Sequence, residues 1–337
     1  MAEQHTICVL PGDGIGPEVI RESVRVLNAL PASLRLVYGD IGYGCFQRCG
    51  TSLPDETITK VAEADATLLG AVETPPDLPG YSSPVVGLRR HVDLFANVRP
   101  CRSSRGLAGA RPDVDLVVVR ENTEGLYSQR ERIEDGGDTA IGERVITRNG
   151  CERIARFAFS LAKQRGFGKV TAVHKANILR ETCGLFRRVV REVAAGFPAI
   201  ELQEMLVDNA AMQLVLDPSQ FQVLVTTNLF GDILSDEACA LVGGPGLACS
   251  VNWGPRAAVF EPVHRSAPDI AGRGLANPLA AILAASMLLR HLRLEVDAER
   301  VEKAVHGVLE KGLTTPDLGG KLSTPGVTEQ LLAMMAR

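Results

Sequence analysis

The chain has 337 residues, enough for one large or two medium domains with a core of real size. Its 45% hydrophobic and 23% charged residues are ordinary for a globular protein, and a formal net charge of −4 supplies no basic field for nucleic acid or an anionic membrane surface. Nucleic acid and membranes are therefore not expected partners.

In chain order, short β-branched runs alternate with helical patterns. Residues 6–10 read as a buried strand, 17–30 as a helix and 34–37 as a second strand, the rhythm of an α/β protein with a largely parallel sheet. Pro17 and the charge of Glu18 suit a helix N-terminus. The loop 75–84 is the most proline-rich connection, of the kind that carries specificity, and the acidic 134–138 reads as a solvated turn or hairpin tip. Further buried strands are predicted at 66–69, 116–119, 169–173 and 223–227, each ending in polar or glycine-rich residues, where open α/β sheets place ligands. The longest apolar helical stretch, 279–289, falls short of the roughly 20 residues that cross a bilayer and reads as a buried helix.

Eight cysteines carry no CxxC pair, and Cys45 and Cys49 lack partners at zinc spacing. Reduced thiols in a cytoplasm are expected, with Cys8, Cys183 and Cys239 acting as small hydrophobes. The first residues, Met1 to His5, have no basic segment before the apolar run, so no signal peptide is expected.

The residues that carry chemistry cluster after the predicted strands. Asp232 and Asp236, four apart at the opening of a helix, share one face and can reach one hard cation, although such pairs also occur on solvated faces. Asp208 offers a third carboxylate, and three acidic oxygens suit Mg²⁺ or Mn²⁺. Arg89, Arg99 and Arg120 follow strand-like or loop segments; converging guanidiniums would form a receptor for a di- or tricarboxylate. Tyr127 and Lys175, each soon after a buried strand, are the acid-base candidates. Gly12-Asp13-Gly14-Ile15-Gly16 is one residue too short for a dinucleotide fingerprint, and a tight strand-to-helix turn explains it at least equally well.

Together, Gly12 to Glu18, Asp93 to Pro100, Arg120 to Tyr127, His174-Lys175-Ala176-Asn177 and Gly231 to Asp236 resemble, in order, the β-decarboxylating dehydrogenases, which include isocitrate, homoisocitrate and 3-isopropylmalate dehydrogenases. The resemblance implies an isocitrate/isopropylmalate dehydrogenase-like α/β fold, an open, mostly parallel sheet that is not a Rossmann domain. It implies a large domain from 1–98 and 246–337, a small domain from 99–245 with the dimer interface, and a central cleft. It implies a homodimer with shared active sites, leaving pairing into tetramers open. Arg89, Arg99 and Arg120 would hold the malate carboxylates, and Asp232 and Asp236 with Asp208 of the second protomer would hold the metal. Lys175 of the second protomer would take the 2-hydroxyl proton, and Tyr127 would protonate the enol after CO₂ leaves.

The stretch 262–272 matches the family's adenosine-binding loop, with Ser266, Ala267, Asp269 and Ile270 in it; Ile15, Glu261, His264, Asn277 and Asp317 match other nucleotide-site positions. Asp269 can accept from ribose hydroxyls and would repel a 2′-phosphate, so NAD is the expected cofactor. Departures cluster here: Arg265 replaces a usual glycine, which would be strained if that position needs a positive φ, and Trp253, Pro255-Arg256 and Cys249 are unusual. Alternatively the Arg265 guanidinium touches a phosphate, which would weaken the preference for NAD.

For the substituent on malate C3, the family reads residues just before Arg89. Ser83 matches isocitrate enzymes, but Val85 and Val86 offer small apolar side chains that match none of the three types. Residues 127–132 and the loop around Tyr81 look closer to homoisocitrate and archaeal-type isocitrate enzymes, which ranks homoisocitrate or isocitrate first and 3-isopropylmalate second. The 4-hydroxythreonine-phosphate dehydrogenase group uses other metal motifs, and a non-catalytic regulatory subunit would have lost residues that this chain keeps.

Overall fold

The computed structural model describes residues 4–75, 78–104, 106, 107 and 109–336. Met1 to Glu3 of the N-terminal reading, and residues 76 and 77 of the proline-rich loop, lie outside them. The chain divides into two compact units, 1–93 with 103–112 and 242–337, and 94–102 with 113–241.

The first unit opens with β1 (His5–Leu10), α1 (Gly16–Asn28), β2 (Leu34–Tyr38), α2 (Tyr43–Cys49), α3 (Asp55–Glu63), β3 (Ala66–Leu69) and α4 (Pro84–His91). The second unit holds β4 (Ala96–Arg102), β5 (Asp115–Glu121), the hairpin β6 (Glu131–Glu134) and β7 (Thr139–Gly142), α5 (Arg148–Arg165), β8 (Lys169–His174), α6 (Thr182–Ala194), β9 (Glu201–Leu206), α7 (Val207–Leu216), β10 (Val223–Thr226) and α8 (Asn228–Leu241). The chain returns to the first unit with β11 (Cys249–Trp253), β12 (Ala258–Pro262), α9 (Leu279–His291), α10 (Glu295–Glu310) and α11 (Thr324–Met335).

Every predicted strand and helix is present. In the first unit the strands run β2-β1-β3-β12-β11, parallel except for the β12–β11 pair. In the second they run β4-β5-β10-β8-β9, parallel except for β4 against β5. The inner strands are apolar on both faces, as helices on either side of a parallel sheet require: Ile7 to Leu10 and Leu116 to Val119 are fully buried. Each such side chain stabilises the fold by roughly 1.5–3 kcal/mol relative to exposure. α9 is buried along most of its length, and among the described residues no helix is long and apolar enough to cross a membrane. The acidic 134–138 stretch is the exposed tip of the β6–β7 hairpin, with a 3₁₀ turn at Asp135–Gly137. All eight cysteines are free, and Cys8, Cys183 and Cys239 are buried.

Local signals start and stop the helices. Pro17 sits in the first turn of α1, whose Val19, Ile20, Val26 and Leu27 bury one face. Thr147 caps α5 by accepting from Gly150 N–H at 3.0 Å, and left-handed Gly166 ends it. Glu18 accepts from Thr324 Oγ1 at 2.7 Å and from Gly272 N–H at 3.1 Å, tying α1 to α11 and to the segment beyond β12.

Burial pushes three histidines, His174, His264 and His291, below the ordinary value of 6.5. The unfolded chain therefore takes up protons near that pH that the fold refuses, so this stability is present above pH 6.5 and is lost as pH falls below it. The urea midpoint should drop between pH 6.5 and about pH 5.5, above the range where carboxylates titrate. A midpoint constant across that window would show that these rings are not held neutral.

Candidate active site

β4 and β5 bring Arg99 and Arg120 to one place in the second unit, where α8 presents Asp232 and Asp236. Arg99 Nη1 donates to Asp236 Oδ1 at 2.6 Å, and its Nη2 lies 3.5 Å from Asp232 Oδ1. Arg99 thus bridges both carboxylates, which fixes them on one helix face as their spacing predicted. Arg99 Nε donates to Asn97 Oδ1 at 3.0 Å. Arg120, 2% exposed, donates through Nη1 to Asp232 and stacks 4.9 Å from the Tyr127 ring centroid. Tyr127 OH donates to Asp232 Oδ2 at 2.6 Å. Burial first, then the Asp232 hydrogen bond, raises the pKa of this phenol above 10.0 and keeps it protonated.

Lys175 and Asp208 form a second, separate pair. Lys175, just beyond β8, donates from Nζ to Asp208 Oδ1 at 2.5 Å in the first turn of α7, which lowers the pKa of that carboxyl. Among the described residues of one chain, no three His, Cys, Asp or Glu side chains stand close enough to hold a metal. Asp232 and Asp236 are hard oxygen donors suited to a small divalent cation, and in the single chain guanidiniums share those oxygens.

Ser83, Val85, Val86 and Arg89 belong to the first unit. Ser83 occupies the N-cap position of α4, and Val85 and Val86, four and three residues before the buried Arg89, flank it on the helix surface. The segment leading there is pinned by Asp13, which the sequence reading left without a role. Its carboxylate accepts from the N–H groups of Tyr43 at 2.8 Å, Gly44 at 2.8 Å and Glu73 at 2.9 Å. Tyr81 OH donates to Glu73 O at 2.6 Å, and its ring meets Phe46 edge-on at 5.2 Å. Burial pushes this phenol up to about 12, so it remains a donor. An acid set between Gly12 and Gly14 was the available sequence signal for Asp13, and the fold buries it with its three donors.

Arg144 was also missed. Its Nη2 donates to Thr227 Oγ1 at 2.7 Å and its Nη1 to Cys183 Sγ at 3.1 Å, with the guanidinium 4.8 Å from the Phe230 ring. Cys183 Sγ also accepts the Lys175 N–H at 3.3 Å, so Arg144 ties the lysine loop to the start of α8.

All nine expected nucleotide-site positions lie in the first unit. The Gly12 to Gly16 segment is a tight turn: at Gly14, with φ +56°, a Cβ would stand 2.0 Å from Ser266 O. Ile15 N–H donates to that same oxygen at 2.8 Å, joining the turn to the loop beyond β12. Asn277 Nδ2 donates to Asp317 Oδ2 at 3.0 Å, and Thr315 Oγ1 holds the other carboxylate oxygen at 2.5 Å. His264 is kept neutral by burial, its Nδ1 3.1 Å from Arg265 O. Glu261 accepts from Asn252 Nδ2 at 2.7 Å, while Asp269 is exposed.

Arg265 does not carry the positive φ considered for it; Ala267, two residues on, does, at +37°. Trp253 packs edge-on against His291 at 5.0 Å, and Cys249 Sγ lies 3.3 Å from Met287 Sδ, so both departures are taken up by packing.

The model of a family described as Isocitrate/isopropylmalate dehydrogenase matches residues 6–331. An isocitrate/homoisocitrate dehydrogenase of Thermus thermophilus is 52% identical over 97% of this chain and 98% of its own. A 3-isopropylmalate dehydrogenase of Methanothermobacter thermautotrophicus is 50% identical over 94% of each chain. The crystal structure of an isocitrate dehydrogenase from Methylococcus capsulatus superposes with a TM-score of 0.96 at 44% identity, covering 99% of this chain and 100% of that one. With the family model matching residues 6–331 and relatives about half identical over nearly the whole chain, the chain belongs to the isocitrate/isopropylmalate dehydrogenase family of oxidatively decarboxylating dehydrogenases.

Proposed function

We propose that the protein uses NAD and Mg²⁺ or Mn²⁺ to oxidise a 3-substituted malate at C2 and release CO₂, with homoisocitrate or isocitrate as the first-ranked substrate and 3-isopropylmalate as the second. Membership of the family implies a nicotinamide cofactor, a divalent metal and a small carboxylate substrate. The observation that carries the finer reading is the convergence of Arg99, Arg120 and Tyr127 on Asp232 and Asp236. Two buried guanidiniums beside two carboxylates form a site where an anionic substrate and a divalent cation are held together.

Asp232, Asp236 and Asp208 of the partner subunit would hold the metal, which supplies Lewis-acid polarisation of the C2 oxygen and of the enolate left by CO₂. Arg89, Arg99 and Arg120 grip the substrate carboxylates and orient C2 toward the nicotinamide. Lys175 of the partner subunit accepts the 2-hydroxyl proton as hydride leaves C2. Tyr127, kept protonated by burial, returns a proton to C3 once CO₂ has departed. A non-catalytic role is disfavoured because every one of these groups is retained.

Shared active sites in a homodimer are supported by the surface of the second unit. It carries eight of the eleven exposed large hydrophobic side chains among the described residues. Met212, Val215 and Leu216 line α7, Ile233 adjoins Asp232, and Ile178 lies close to Lys175, so apolar surface brackets both halves of the site. A small-domain interface over 99–245 and a cytoplasmic location complete the proposal.

One assay tests the reading: reduction of NAD and of NADP with homoisocitrate, isocitrate, 3-isopropylmalate, malate and tartrate in the presence of Mg²⁺. NAD and a tricarboxylate should give the highest kcat/KM, through exposed Asp269 and through Ser83. A rate with 3-isopropylmalate about tenfold above either tricarboxylate would reverse the ranking and make Val85 and Val86 an apolar pocket. Parity with NADP would point instead to Arg265, and Arg265→Gly should then shift the ratio toward NAD.

A further inference from the structure

Asn228, Gly231 and Asp232 stand three and four residues apart on one face of the first turn of α8, and all three are committed to Arg120. Asn228 Oδ1 accepts from Arg120 Nε at 3.1 Å and from Nη2 at 2.7 Å, while Asp232 accepts from Nη1. At Gly231 a Cβ would come within 2.6 Å of both Cβ and Cγ of Arg120, so the arginine stem lies flat against the helix backbone. A guanidinium has no acceptor, so the amide oxygen, not the nitrogen, must face it.

The amide's other end is the telling part. Asn228 is fully buried, and its Nδ2 finds no hydrogen-bond partner among the described residues. A buried donor left unmade is unfavourable, so the fold alone gives no reason for an amide at this position. Its chemistry toward Arg120 does. Two bonds to an uncharged acceptor fix the plane of the guanidinium and add no negative charge beyond that of Asp232. A carboxylate in the same place would compete with an incoming carboxylate for the same charge. These bonds take up three of the five guanidinium N–H groups, and Tyr127 hydrogen-bonds the same guanidinium.

We infer that Asn228 is a positioning residue: it orients Arg120 and preserves its charge for a substrate carboxylate, with Gly231 as the gap that lets the arginine lie there. The inference rests on the reading of Arg120 as a carboxylate ligand, and the test separates the two.

Asn228→Asp, Gly231→Ala and Arg120→Lys are compared with wild type for KM and kcat toward NAD and toward whichever of homoisocitrate, isocitrate or 3-isopropylmalate the wild type turns over fastest. Thermal unfolding is measured alongside. Asn228→Asp satisfies the guanidinium at least as well as the amide, so its Tm should not fall, yet KM for the hydroxy acid should rise about tenfold or more, with KM for NAD unchanged. Gly231→Ala pushes the Arg120 stem off the same helix face, which moves the guanidinium, and should give the same KM-selective loss, which keeps the test decisive should Asn228→Asp fail to fold. An unchanged hydroxy-acid KM in both variants while Arg120→Lys raises it overturns the role of Asn228. An unchanged KM in Arg120→Lys overturns the carboxylate-binding reading of Arg120 and the inference with it.

Discussion

Asp232→Asn should give a folded protein whose turnover is lower by about 10²- to 10³-fold or more, because one oxygen remains but the charge is gone. Asp232 is where the site converges: Arg120, Arg99 and Tyr127 all address it, from segments more than a hundred residues away along the chain. The effect on the fold is smaller. The side chain is 34% exposed, and Arg120 keeps Asn228 while Arg99 keeps Asp236, so the loss of stability should be about 1 kcal/mol. The same argument predicts that EDTA abolishes turnover and that Mg²⁺ or Mn²⁺ restores it, since carboxylates offer no soft ligand. EDTA-treated enzyme with full activity, or an Asp232→Asn variant within threefold of wild type, would remove the metal assignment.

Tyr127→Phe should lower kcat by about 10²- to 10⁴-fold, the usual contribution of a positioned proton donor. The substitution is selective because the ring 4.9 Å from the Arg120 guanidinium is kept and only the hydroxyl that reaches Asp232 is lost. KM for the hydroxy acid should change little. If Tyr127 acts after decarboxylation, the variant still transfers hydride on the first turnover, and stopped-flow traces should show a rapid burst of NADH before a slow steady state. The pH dependence follows from the raised pKa: the group donates while protonated, so it imposes no loss of rate as pH rises to 10.0 and a loss only above that. A variant with wild-type kcat, or one lacking both burst and steady state, would place the proton donor elsewhere.

Wherever a signal was local, the amino-acid sequence sufficed. The β-branched runs that became β1, β5, β8 and β10 could be read because inner strands of a parallel sheet are apolar on both faces. Asp232 and Asp236 could be placed together because helical geometry alone brings residues four apart onto one face. Long motifs in the right order were enough for the family, and through it for the roles of Tyr127, Lys175 and the arginines as expectations. β9, Glu201–Leu206, gave no comparable signal: it pairs on one side only, with β8, and its mixed polar sequence reflects that partial exposure.

What the tertiary structure alone decided is pairing at a distance. That Arg99 reaches Asp236, 137 residues on, and that Arg120 reaches Asn228, 108 residues on, follows from the order of β4, β5 and β10 in the sheet, which no local pattern encodes. The same holds for Asp13, whose three partners come from α2 and from the segment after β3, and for Arg144 beneath Lys175 and α8. Glycine roles divide along this line too. Gly166 as a helix stop is a local matter of backbone angle, whereas Gly231 is needed only because the fold lays an arginine across it. Periodicity reports which face of an element is apolar, but the partner that face or side chain meets is set by how the elements stack, and that depends on the whole chain at once.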